Sequence, residues 1–258
     1  MKKVLVLLLT LVLAVGVALP VAPVYARQAV AVGDPLSPTG TVYAVVIGIS
    51  DYPGHPLGFP TADAEAFQSA LTSKYNVPTG NIQLLEDATK PEILAAITSL
   101  GSGPNDDVII YFSGHGTTAP RSLHGIVAVD YGVIWSSELR AAIQGMTAKR
   151  VAVILDCCYA KGFADDLNLE NVLAMMSSAG LSWETSLFGH GIFTYWFVQK
   201  GIIGGLADNP VENRYAKPDG MIPFEEAFDY AFQHMTHEKP KVVDNVQFDF
   251  YPSLLPSP

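Results

Sequence analysis

Cysteine is scarce in this chain: its 258 residues include only two, and these are the neighbours Cys157 and Cys158. A disulfide between adjacent residues would close a strained small ring that ordinary bridge geometry does not allow. Two cysteines are also too few for a multi-cysteine zinc site. We therefore expect two free thiols, of which one is a candidate reactive group.

Basic residues are scarce as well. Lys and Arg together number 15 against 25 Asp and Glu, and the formal net charge is −10. An acidic surface repels nucleic acids and anionic lipids. Nucleic acid is therefore not an expected partner, whereas basic polypeptides are compatible with this charge.

Long hydrophobic runs are absent except at the N-terminus. There, Lys2 and Lys3 precede the apolar residues 4–24, which end in the small-residue site Val24-Tyr25-Ala26. This order is typical of a secretory signal peptide, although an uncleaved membrane anchor is the alternative. We expect a signal peptide over 1–26, a linker or disordered arm over 27–40 and one folded domain over 41–258. The expected location is secreted or extracytoplasmic, with no membrane span after cleavage.

Beyond residue 40, the apolar pattern alternates between two periods. Short runs rich in Val and Ile are typical of strands buried on both faces, and segments with one apolar face are typical of helices. Strands are predicted over 41–50, 82–86, 107–116, 125–130, 150–156, 171–178 and near 241–250. Helices are predicted over 61–75, with Thr61 as N-cap, and over 90–101, 136–146, 191–201 and 223–235. This alternation predicts an α/β sandwich around a mostly parallel sheet.

Two of the predicted strands end in residues suited to acyl transfer. His115 lies between glycines after "YFSG", and Cys158 follows the apolar run "RVAVILD". Reactive groups collect at the carboxyl ends of parallel strands, so neighbouring strands would bring this base and this nucleophile together. The N–H groups of Gly116 and Cys158 could then form an oxyanion hole. Alone, His115 would equally fit a turn and Cys158 a small buried hydrophobe.

These motifs carry a family resemblance. "YFSGHG" (111–116) together with "ILDCCYAKG" (154–162) resembles the caspase and metacaspase group of cysteine peptidases, and is closer to metacaspases. "YAVVIGISDYPGHPLGFPTADAEAF" (43–67) and "FGHGIFTYWFVQKG" (188–201) resemble the family's opening strand and helix and its downstream helix. The resemblance covers roughly 42 to 235.

The resemblance implies a fold and an activity. The fold would be a caspase-like three-layer α/β/α sandwich with a mostly parallel sheet of about six strands. The activity would be that of a cysteine endopeptidase acting on polypeptides, with His115 and Cys158 as the catalytic dyad and Cys157 at a variable position. Residues 159–161, "YAK", replace the family's usual His-Ser, so a catalytically inactive caspase-like binding module stays open as an alternative.

The resemblance also implies a substrate preference. In metacaspases, the carboxylates matching Asp63 and Asp156 hold an Arg or Lys at P1, the residue before the cleaved bond. A buried carboxylate pair gives a basic side chain charge-assisted hydrogen bonds, which are bidentate for Arg. Each residue alone fits a helix first-turn acid or a turn cap equally well, and the match at Asp63 needs a one-residue insertion. We expect cleavage after Arg or Lys; an acidic P1 is the alternative.

Calcium is the one metal ion that the family resemblance suggests as a ligand. Asp130 and Asp165 fall where two of the calcium ligands of metacaspases would be, but Ser136 and Ser137 stand where an acidic pair is expected. A hard dication needs several oxygen ligands with enough negative charge. We expect weak calcium binding at Asp130 and Asp165 or none, and no metal or other cofactor required for hydrolysis.

Overall fold

The computed structural model describes residues 40–252. The predicted signal peptide (1–26) and all but the last residue of the predicted arm (27–40) lie outside this range. Eleven strands are described: β1 (Val42–Gly48), β2 (Ile82–Glu86), β3 (Asp107–Ser113), β4 (Gly116–Ala119), β5 (Leu123–Val127), β6 (Val133–Trp135), β7 (Arg150–Asp156), β8 (Val172–Met176), β9 (Glu184–Thr185), β10 (His190–Gly191) and β11 (Lys241–Asp244). The helices are α1 (Pro60–Lys74), α2 (Lys90–Thr98), α3 (Ser136–Gln144), α4 (Ile192–Thr194), which continues as the π-helical Tyr195–Ile203, and α5 (Phe224–His234). Short 3₁₀ turns cover Thr79–Asn81, Ala160–Phe163 and Leu206–Asp208.

A six-stranded sheet forms the centre of the domain. Its spatial order is β11-β8-β7-β3-β1-β2, and every pairing is parallel except that of β11 with β8. β3 and β7 are buried along their whole length, as expected for apolar runs covered on both faces. The mostly parallel six-stranded sheet expected from the sequence is therefore confirmed.

Helices cover both faces of this sheet and make the domain a three-layer sandwich. On one face, α1, α4 with its π-helical continuation and α5 pack on alternate strand residues such as Tyr111 and Ile154. On the other face, α2 and α3 pack on the intervening residues, among them Phe112 and Leu155. Because strand side chains alternate between faces, neighbouring residues at a strand end belong to different cores. In the described part of the chain, no helix has the length and apolar character to cross a membrane.

Some helix and strand boundaries differ from the predicted ones. Helix α1 begins at Pro60 and not after Thr61, because proline suits the first helical turn, where its missing N–H costs nothing. Thr61 therefore lies inside the helix, and the prediction of Thr61 as N-cap was wrong. The predicted strand over 125–130 is Leu123–Val127, in a separate antiparallel sheet of order β4-β5-β6. The final strand ends at Asp244 and does not reach 250.

Candidate active site

The register of the central sheet aligns the two predicted catalytic residues. β3 and β7 are neighbours, and their last paired residues are Ser113 and Asp156. His115 and Cys158 each follow their strand's last residue by two positions, so they leave the same edge of the sheet side by side. Both are half-buried and line one cavity.

His115 is held from two sides by the loop between β1 and α1. Its Nε2 lies 3.0 Å from the carbonyl oxygen of His55. A carbonyl only accepts hydrogen bonds, so Nε2 carries the ring hydrogen and Nδ1 keeps a free lone pair for a proton. The backbone N–H of His115 donates to the hydroxyl of Tyr52 at 2.9 Å, and the two ring centroids are 4.4 Å apart. The geometry thus favours the tautomer with its hydrogen on Nε2, in which Nδ1 can accept a proton.

Cys158 contacts a segment that the sequence reading did not include. The backbone N–H of Ser182 donates to Cys158 Sγ at 3.3 Å, and Sγ lies 3.8 Å from the Ser182 carbonyl oxygen. Burial raises the pKa of the Cys158 thiol above its usual value, and the Ser182 N–H opposes that rise; nearby Asp156 and Glu238 raise the pKa further. The resting group is therefore a thiol, which needs a base when it reacts.

Cys157 lies in a different environment from its neighbour. It is 1% exposed and belongs to the apolar core between the sheet and helices α2 and α3. Burial raises the pKa of its thiol well above the usual value. Both cysteines are free. A protonated thiol inside an apolar core is chemically inert.

The backbone of Gly116 lies against that of Cys158. The carbonyl of His115 accepts the N–H of Val127 at 3.0 Å, on the side of β5. Because the peptide is planar and trans, the N–H of Gly116 points the opposite way, out of this small sheet. A Cβ atom on Gly116 would collide with the carbonyl oxygen of Cys158, so only glycine fits here.

Asp63 and Asp156 lie together in the same cavity. Asp63 comes from the first turn of α1 and Asp156 from the end of β7, and they are 1% and 4% exposed. A Cβ atom on Gly191 would lie 2.7 Å from Asp156 Oδ2 and 3.1 Å from Asp63 Oδ2, so one glycine separates the two carboxylates. Burial, followed by the charge of Asp63, raises the pKa of Asp156 to about 6.

Donors from the protein hold both carboxylates in place. Asp63 accepts hydrogen bonds from the Ser113 hydroxyl at 2.8 Å and from the Gly191 N–H at 3.2 Å. Asp156 accepts bonds from the hydroxyls of Thr194 at 2.7 Å and Ser182 at 3.0 Å. These hydroxyl and N–H donors are neutral, so they orient the carboxylate oxygens without cancelling their charge.

Two further titratable residues of this region were missed by sequence reasoning. His190, at the start of β10, places Nδ1 2.8 Å from Asp63 Oδ1. Glu238 is buried and accepts the N–H of Trp183 at 2.7 Å; burial and then the charge of Asp156 raise its pKa to about 8. His190 belongs to a two-residue strand and Glu238 to the segment between α5 and β11, and the only signal for either was the position of His190 just before a predicted helix.

The cavity itself is small. Its volume is about 140 Å³, well below the roughly 300–1,000 Å³ of pockets that take whole drug-sized ligands. It suits a single side chain of a longer substrate. Its lining includes His115, Cys158, Asp63, Asp156, Gly191, Trp183 and Glu184.

The residues suggested for calcium do not form a site. Asp130 Oδ1 accepts the N–H groups of Gly132 and Lys90, at 3.1 and 3.2 Å, and Asp165 is an exposed residue of another segment. Within residues 40–252, no group of three or more His, Cys, Asp or Glu side chains is arranged to hold a metal ion. Since calcium needs several converging oxygens, the residues present do not fit it.

The fold and the site define a class. A three-layer sandwich that carries a thiol and an imidazole at the ends of adjacent parallel strands is a caspase-like α/β protein. The chain belongs to the caspase-domain family of peptidases, peptidase C14, whose family model matches residues 41–239. This family consists of cysteine peptidases, which act on polypeptides.

Comparison with solved structures agrees on the fold. The crystal structure of protein GSU0716 from Geobacter sulfurreducens is similar to this chain, with a TM-score of 0.62. The two are 16% identical, and the similarity covers 83% of this chain and 98% of that one. At this identity the likeness concerns the fold alone. A comparison with curated proteins returned no match.

Proposed function

We propose that this protein is an exported, metacaspase-like cysteine endopeptidase that cleaves polypeptides after Arg or Lys. Cys158 is the nucleophile, and His115 is the general base and then the general acid. One observation carries the proposal: the thiol, the imidazole and two buried carboxylates line a single cavity of about 140 Å³.

The thiol and the imidazole supply the chemistry. Nδ1 of His115 takes the thiol proton as the Cys158 sulfur attacks the substrate carbonyl, and the oxyanion that forms is met by the N–H groups of Gly116 and Cys158. His115 then gives this proton to the leaving amine, and a thioester remains on Cys158. Water, deprotonated by His115, hydrolyses the thioester and regenerates the thiol. The raised pKa of Cys158 favours proton transfer during attack over a preformed thiolate.

The two carboxylates supply the preference for a basic P1. An Arg or Lys side chain that entered the cavity would be attracted to Asp63 and Asp156, and a guanidinium could bind them through paired hydrogen bonds. An acidic P1 residue would instead add a further negative charge to a buried acidic pair, which is strongly unfavourable. The two buried carboxylates therefore favour Arg or Lys over an acidic residue at P1.

The inactive binding module is the competing function. It rests on "YAK" (159–161), which departs from the family pattern after the nucleophile. Tyr159 takes a left-handed conformation, φ 59°, and donates its N–H to the carbonyl of Gly180. The turn Ala160–Phe163 follows and does not line the cavity. The altered residues thus lie beside the proposed machinery without replacing any part of it.

The proposed chemistry uses only groups of the protein itself and water. His115 moves the proton, and the backbone donors hold the oxyanion, so no step requires a cofactor. Because no group of three or more potential metal ligands comes together within residues 40–252, we also propose that calcium does not regulate the enzyme.

A panel of fluorogenic peptides that differ only at P1 tests the proposal. We expect the peptide with Arg or Lys at P1 to be cleaved at least 100-fold faster, measured by kcat/KM, than its Asp, Leu or citrulline twins, because only a cation gains charge-assisted bonds worth roughly 1.5–3 kcal/mol each. Rates with calcium or with EDTA should agree. Faster cleavage after Asp would reverse the assigned preference, and no cleavage of any peptide by folded protein would favour the binding module.

Export is part of the proposal and rests on the sequence of residues 1–26. The charged start, apolar run and small-residue site support cleavage after Ala26. N-terminal sequencing of protein recovered outside the cytoplasm should begin at Arg27; a retained Met1 in a membrane fraction would favour the uncleaved anchor.

A further inference from the structure

Tyr52 touches the proposed catalytic histidine, yet it has no part in the mechanism above. It lies in the loop between β1 and α1, and its side chain is 1% exposed. Its hydroxyl accepts the backbone N–H of His115 at 2.9 Å and donates to the carbonyl of Val127 at 2.8 Å. The residue thus binds the backbone of His115, not its ring nitrogens.

The two hydrogen bonds of the Tyr52 hydroxyl take the place of one hydrogen bond between the chain segments of β4 and β5. The pairing of β4 with β5 continues back to His115 and Val127, because the N–H of Val127 donates directly to the carbonyl of His115. In a regular antiparallel rung the N–H of His115 would donate to the carbonyl of Val127 in return. Here the Tyr52 hydroxyl stands between these two groups. The Val127 N–H thus bonds the His115 carbonyl directly, whereas the His115 N–H reaches the Val127 carbonyl only through the Tyr52 oxygen. This difference turns the backbone of His115 relative to β5.

The surroundings of the hydroxyl favour this arrangement. A Cβ atom on Gly114 would lie 2.6 Å from Tyr52 Oη, so a glycine before His115 leaves the space that the hydroxyl uses. Burial raises the pKa of Tyr52 well above its usual value. The phenol therefore keeps its proton and can accept one bond and donate the other at the same time.

The loop that carries Tyr52 is itself fixed. The Asp87 carboxylate accepts the N–H groups of Ser50 and Asp51, at 2.7 and 2.8 Å. The Tyr131 hydroxyl donates to the Pro53 carbonyl at 2.5 Å. The loop that carries the Tyr52 hydroxyl is thus also held by hydrogen bonds that do not involve His115.

We propose that Tyr52 is a positioning residue for His115: its hydroxyl, inserted between the His115 N–H and the Val127 carbonyl, sets the backbone orientation from which the imidazole reaches Cys158. The N–H of Gly116 belongs to the next peptide unit, so the backbone orientation of His115 also sets the direction of this oxyanion donor. This inference rests on the proposed peptidase mechanism, because it assigns Tyr52 to the same site.

The variant Tyr52→Phe tests it, because it removes the hydroxyl and keeps the ring. We expect kcat for a P1-Arg peptide to fall roughly 10- to 100-fold while KM stays within threefold, since a misplacement of about 1 Å can cost that much in rate without touching the P1 cavity. Tyr131→Phe is the matched control: it removes a hydroxyl that bonds the same loop at Pro53 and leaves both bonds of the Tyr52 hydroxyl intact, so kcat should stay within threefold. The ¹⁵N shifts of the His115 ring, which report its tautomer, should change in Tyr52→Phe and not in Tyr131→Phe.

Two outcomes overturn the inference, and a third overturns the proposed function instead. If Tyr52→Phe keeps kcat and the His115 ring signals of the wild type, the hydroxyl has no positioning role. If both variants lose kcat alike, with a matching fall in melting temperature, the loop matters only for stability. If the wild type itself hydrolyses nothing, the proposed function fails, and the ring signals alone decide whether Tyr52 positions His115.

Discussion

Replacing Cys158 with alanine is expected to lower kcat/KM for a P1-Arg peptide by roughly 10⁴-fold or more, to the detection limit, because no other group in the cavity can form the thioester. The substitution removes one half-buried sulfur atom, so folding should be preserved. Far-UV circular dichroism and melting temperature should match those of the wild type.

Cys157→Ala is the matched control for this prediction. It removes the neighbouring thiol, which lies in the apolar core and not in the cavity. Loss of one buried sulfur should cost some stability and leave kcat/KM within a few-fold of the wild-type value. If Cys157→Ala abolished hydrolysis while Cys158→Ala did not, the nucleophile would be misassigned.

Replacing Asp156 with asparagine is expected to reduce kcat/KM for P1-Arg peptides by roughly 10²- to 10³-fold, because losing one partner of a buried charge pair costs about 2–5 kcal/mol. The citrulline twin is nearly isosteric with Arg but uncharged, so its slow cleavage should change little. Asp165→Asn, which changes an exposed carboxylate outside the cavity, should leave both rates unaltered. Equal losses on the Arg and citrulline peptides would assign Asp156 a structural role only.

The same carboxylate predicts a pH dependence. Burial and the charge of Asp63 raise the pKa of Asp156 to about 6, so this group is anionic above pH 6 and neutral below it. Preference for Arg over citrulline should therefore be present above pH 6 and decline as pH falls through about 6. Because Asp156→Asn cannot ionise, its remaining preference should not show this decline. Taking the ratio of the two rates cancels every effect of pH that is common to both peptides.

The placement of the central residues could be predicted because it depends on strand ends. The runs before "SGHG" and "DCC" are buried on both faces, which specifies central parallel strands, and such strands deliver their following residues to one edge. Asp63 could be assigned only through the family resemblance, because residues 49–59 separate β1 from α1. For His115 and Cys158, the chemistry follows directly after a strand that the apolar pattern identifies.

The remaining features of the site depend on contacts that leave no periodic pattern. His190 and Glu238 reach Asp63 and Trp183 from segments whose paths are set by tertiary packing. Tyr52 acts through its hydroxyl on backbone groups, and Ser182 meets Cys158 through its backbone N–H, so neither contact is encoded by residue type alone. The misplaced N-cap at Thr61 is a simpler case, in which Pro60 began the helix one residue earlier.

The most direct test of the account is covalent labelling with a peptidyl electrophile. Folded wild-type protein would be incubated with an acyloxymethyl ketone bearing Arg at P1 and, separately, with its P1-Asp twin, and the adduct would be mapped by mass spectrometry. The proposed mechanism predicts one adduct per chain, on Cys158, that forms rapidly with the Arg reagent and is absent in Cys158→Ala. Labelling at Cys157, faster labelling by the Asp reagent, or no labelling of folded protein would contradict it.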